Sequence, residues 1–136
     1  MPTIEEWTKV HADLTEKLCL PCKLKFSTDV RVGRHEFEDD GTCCITVNLD
    51  ADFRVPAHLI LHEGAHHRIC EPYRGEFDVD QWCHIGGSGH CTHWAQVLCD
   101  MYKETGIALP QTTSFLEFAK LAGVIRKNYV REGDDA

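Results

Sequence analysis

The chain has 136 residues, 43% of them hydrophobic and 26% charged, a composition that suits one globular domain and excludes a long disordered or collagen-like chain. Its 14 basic and 22 acidic residues leave a formal charge of −8, which makes nucleic acid a poor default partner, and no apolar run approaches the roughly 18 residues needed to cross a bilayer. Eight cysteines behind a start, Met-Pro-Thr-Ile-Glu-Glu, that carries no basic export signal read as cytoplasmic thiols or metal ligands rather than disulfides, and the nine histidines are the more informative excess.

Residues 3–18 read as an N-terminal helix: Thr3 and Glu6 can form a capping box, and Ile4, Trp7, His11, Leu14 and Leu18 recur at helical spacing before Pro21. Alternation of Phe26, Thr28, Val30 and Val32 with polar neighbours predicts a strand over 26–32, and the acidic stretch 33–41 reads as a connecting loop. A second strand follows, with Cys43, Ile45, Val47 and Leu49 on one face and Cys44, Thr46 and Asn48 on the other. Pro56 suits the first turn of a helix running to about Cys70, where Glu71-Pro72 stops it.

Residues 73–89 contain four glycines and no period, as in a long functional connection. The next helix opens near His90, carries Trp94, Val97, Leu98, Met101 and Tyr102 on one stripe, and ends at Gly106. A final helix begins at a Ser114/Glu117 capping box with Phe115, Phe118, Ala122, Ile125 and Tyr129 inward, and 131–136 reads as a loose tail. The expected architecture is α+β in a single domain over 1–136: an N-terminal helix, a small sheet and three further helices.

The chemistry concentrates in Leu61-His62-Glu63-Gly64-Ala65-His66, an H-E-x-x-H pattern on the helix begun by Pro56. At about 100° per residue, His62 and His66 fall on one face a turn apart, so both imidazoles can reach one zinc ion. Glu63 is offset from that line, which suits it to handle a water rather than the metal. A catalytic zinc takes three protein ligands and leaves a position open, so a third ligand is expected downstream. His90 is the leading candidate, because it stands four and seven residues before Trp94 and Val97 on the inward stripe; His93, His84 and Glu76 are the alternatives.

Two strands, Leu59-Ile60-Leu61-His62-Glu63-Gly64-Ala65-His66-His67, a glycine-rich connection and then Gly89-His90-Cys91-Thr92-His93-Trp94 together resemble the SprT-like and related small zincin metallopeptidases. In that family a later helix begins with a histidine followed four residues on by an aromatic; Cys91 and Thr92 stand here where glycine and proline are usual, and Trp94 where phenylalanine is. The resemblance covers about residues 25–105. It implies a zincin-like fold, zinc held by His62, His66 and His90, and hydrolysis of a peptide or protein substrate with Glu63 as proton acceptor. It also implies that the strand over 43–49 borders the cleft and can pair with an extended peptide. The candidates to stabilise an oxyanion are Tyr73, His84, His93 or Tyr102. A zinc amidase and a non-catalytic zinc-binding module are the alternative readings. Cys19-Leu20-Pro21-Cys22 has ligand spacing but no second C-x-x-C to complete a four-cysteine site, so the cysteines read as buried thiols.

Overall fold

The structure, a computed structural model, describes residues 1–70 and 92–110. They belong to two compact units, Met1–His67 and Arg68–Ala136. The first holds helix α1 (Ile4–Leu18), strands β1 (Lys23–Phe26), β2 (Gly33–Phe37) and β3 (Cys43–Val47), and all but the end of helix α2 (Pro56–Cys70); the second holds the end of α2 and helix α3 (Thr92–Thr105). Three helices and one three-stranded sheet make the described residues an α+β arrangement. None of the described helices is long and apolar enough to cross a membrane. The predicted connection over 73–89, the predicted last helix over 114–129 and the tail lie outside the described residues.

Helix α1 starts where the sequence places it. The Thr3 hydroxyl accepts a hydrogen bond from the Glu6 N–H at 3.1 Å, and the Glu6 carboxylate accepts one from the Thr3 N–H at 3.3 Å. The helix stops on Cys19, whose left-handed backbone (φ 54°) lets its N–H reach Glu16 O and the Leu20 N–H reach Thr15 O, before Pro21 forbids continuation. Trp7, Leu14 and Leu18 are buried along one stripe, whereas Ile4 at its edge is exposed. Thr3→Ala is expected to cost about 1 kcal/mol and lower Tm by a few degrees. A thermal melt unchanged by the substitution would show that the cap contributes nothing.

The sheet has the order β1-β3-β2, with β1 parallel and β2 antiparallel to the central β3. This corrects the expected strand over 26–32 and the expected loop over 33–41: β1 ends at Phe26, and residues 33–37 form β2. The reason is long-range hydrogen bonding. Ser27 Oγ accepts from the Asp29 N–H at 3.0 Å and turns the chain, while the Asn48 backbone and side-chain N–H groups donate to Val32 O and Val30 O, both at 2.9 Å. The apparent alternation over 26–32 is therefore clamped into a turn, and the polar segment after it pairs with β3.

Gly33 opens β2 because a Cβ there would lie 2.7 Å from Leu59 Cδ2, so the missing side chain lets α2 approach the sheet. The register pairs Leu24 and His35 with Ile45, and Phe37 with Cys43, which puts these five on one face. Cys44 and Thr46 face the other way, where Thr46 Oγ1 donates to Glu36 Oε1 and Cys44 Sγ to Glu38 Oε1, each at 3.1 Å. Every residue of β3 is buried.

Helix α2 begins at Pro56 and runs to Cys70, as predicted. Leu59, Ile60, Leu61, Glu63, Ala65, His67 and Ile69 are buried, and the part-exposed stripe carries His58, His62 and His66 one turn apart. In the second unit, Trp94, Leu98, Met101 and Tyr102 of α3 are buried as expected, with Val97 half-buried. Gly106 ends α3 in the left-handed region (φ 73°), its N–H donating to Tyr102 O at 3.0 Å, and Arg68 pairs with Glu104 at 3.2 Å.

Candidate metal centre

Helical phase alone sets His62 and His66 on the same side of α2, and the structure brings Glu63 to them. The ligand atoms of His62, Glu63 and His66 all lie within 4.8 Å of one another, so the three could hold an ion. The two imidazoles meet edge-on with centroids 5.1 Å apart, and His62 Nε2 is 3.8 Å from Glu63 Oε2. Both histidines are partly exposed while Glu63 is buried.

Glu63 is held from the sheet side. Its carboxylate accepts a hydrogen bond from the His35 backbone N–H on β2, which favours the charged form, but burial outweighs this and pushes its carboxyl up to about 7. A dication at the two histidines would pull in the opposite direction and favour the carboxylate.

Of the expected third ligands, His90, His84 and Glu76 lie outside the described residues, as does Tyr73; His93 falls in the first turn of α3. Tyr102 is buried on α3, where burial pushes its hydroxyl well above the usual tyrosine range. The strand expected to take up an extended peptide is β3, and that expectation is overturned: its two sides are already paired with β1 and β2, leaving no backbone donors or acceptors to offer.

The cysteine pair with ligand spacing does not act as a pair. Cys19 is the exposed helix cap, whereas Cys22 is buried and stands in a second group, with His35, Cys43 and His67, whose ligand atoms also lie within 4.8 Å of one another. Two of those residues escaped the sequence reading for definite reasons. His35 lay in a segment read as loop, so no face could be assigned to it. His67 looked like a neighbour of His66, yet it is four residues after Glu63 and shares the buried side of the helix. Burial first, and then the His67 ring, hold His35 down to about 4, so it is a neutral imidazole with a lone pair to give.

No protein-family model, curated protein or solved structure matches the chain.

Proposed function

We propose that the chain is a zinc-dependent metallohydrolase of the SprT-like or related small zincin kind, a cytoplasmic enzyme that cleaves peptide bonds. The observation that carries this reading is the convergence of His62, Glu63 and His66 on one turn of α2, with the two imidazoles part-exposed and the carboxylate buried beside them. Two neutral imidazoles and a third nitrogen, assigned to His90, make the donor set that zinc takes when one position stays open for chemistry. When bound, zinc lowers the pKa of water toward about 7 and polarises a carbonyl.

The chain's own residues do the rest. Glu63 accepts the proton of the attacking water and returns it to the leaving nitrogen. The His35 N–H fixes its carboxylate, so the base does not have to find its orientation at each turnover. The −8 formal charge supports peptide or protein as substrate over anything reached through phosphate contacts.

The test is a product profile. Zinc-loaded protein incubated with an unstructured protein and a peptide mixture is expected to yield new N-termini detectable by mass spectrometry, to lose this activity on chelation and to regain it with added zinc. His62→Ala and His66→Ala are each expected to abolish cleavage. Intact substrates after prolonged incubation with the zinc-loaded chain would sink the reading and favour a binding module.

A further inference from the structure

We infer that Cys22, His35, Cys43 and His67 form a second metal site, a closed structural zinc centre of two thiolates and two imidazoles that ties all three strands to α2. Their four ligand atoms lie within 4.8 Å of one another, and His35 Nε2 and His67 Nδ1 are 3.1 Å apart. Two nitrogens bound to one tetrahedral zinc at about 2.0 to 2.1 Å stand about 3.3 Å from each other, so the pair already has nearly the required separation.

The topology explains why residues so far apart in sequence converge. Cys22 immediately precedes β1, and the parallel register of Lys23 with Cys44 sets Cys22 beside Cys43 at the same end of the sheet. Phe37 pairs with Cys43, and His35, two residues away, shares that face. His67 comes from α2, which lies over this face closely enough for Leu59 to crowd Gly33. Strands β2 and β3, helix α2 and the residue that leads into β1 thus supply one donor each.

The donors have the character of a structural site. Cys22 and Cys43 are 4% exposed, His67 is 5% exposed, and neither cysteine is part of a disulfide. Two thiolates cancel the charge of a zinc dication, so the buried centre carries no net charge, and four protein ligands leave no open position for a substrate. Supporting contacts hold the ligands in place: His11 Nε2 is 2.8 Å from the Cys22 carbonyl oxygen, and the His35 ring packs edge-on against Phe37 with centroids 4.9 Å apart. The sheet has a reason to need such a staple, since three strands of four, five and five residues bury little by themselves.

The two sites can be separated on the full chain. His62→Ala/His66→Ala leaves every one of the four ligands in place and is expected to retain about one zinc per chain, with sulfur neighbours at about 2.3 Å in X-ray absorption. Cobalt(II) in place of zinc is expected to give intense thiolate-to-cobalt charge-transfer absorption in that variant, and adding Cys43→Ala is expected to remove both the absorption and the metal. If the triple variant does not fold, alkylation of the parent chain decides: Cys22 and Cys43 are expected to resist modification with zinc bound and to react once zinc is chelated. A His62→Ala/His66→Ala chain that binds no metal, a bound metal with only nitrogen and oxygen neighbours, or a Cys22–Cys43 disulfide in the reduced-purified protein would overturn the proposal.

Discussion

Replacing Glu63 by glutamine is expected to lower kcat by about 10²- to 10⁴-fold while zinc remains bound and the fold persists. Glutamine keeps the size of the side chain and its capacity to accept from the His35 N–H, but it cannot take up a proton. On the proposed mechanism the substitution therefore removes the base and leaves His62 and His66 in place. The residual rate should also lose the acid limb of the pH profile that ionisation of Glu63 produces, because activity in the parent rises with pH as the carboxyl group loses its proton. Turnover and elemental analysis on the same preparation check the expectation. Equal turnover in the two proteins would remove Glu63 from the mechanism, and loss of zinc together with activity would instead make it a ligand.

Replacing Ile45 by alanine is expected to cost about 2 to 5 kcal/mol of stability, with a fall in Tm of roughly 10 °C or more. Ile45 is fully buried at the middle of the central strand, with Leu24 on one side and His35 on the other. Deleting its outer carbons leaves a void that a sheet pinned on both sides cannot close, so the lost transfer energy and the cavity term add. Urea titration should show a lower midpoint at an unchanged m-value. A loss below about 1 kcal/mol would mean that the site collapses around alanine and that the centre of the sheet is not tightly packed.

The elements legible from the residues alone are those whose signals are local. Thr3 with Glu6 announces the start of α1, Pro56 announces the start of α2, and the spacing of His62 and His66 places two ligand candidates on one helical face, because capping and helical phase depend on residues within a turn or two. The stripe Trp94, Leu98, Met101 and Tyr102 of α3 was readable for the same reason. The sheet was not. Gly33–Phe37 has the composition of a loop and becomes a strand only because β3 pairs with it, while the strand-like 26–32 yields its carbonyls to Asn48 and turns.

Tertiary structure alone decided which residues Cys22 and Cys43 meet and how Glu63 is held. The register of β1 and β2 on β3 brings Cys22 to Cys43 and His35, across gaps of 20 and 12 residues, and α2 adds His67 from further still. No local spacing encodes that meeting, since it depends on strand order and on which way each strand runs. The same pairing puts the His35 N–H against Glu63, so an edge-strand backbone group that carries no sequence signature holds the carboxylate of the H-E-x-x-H motif.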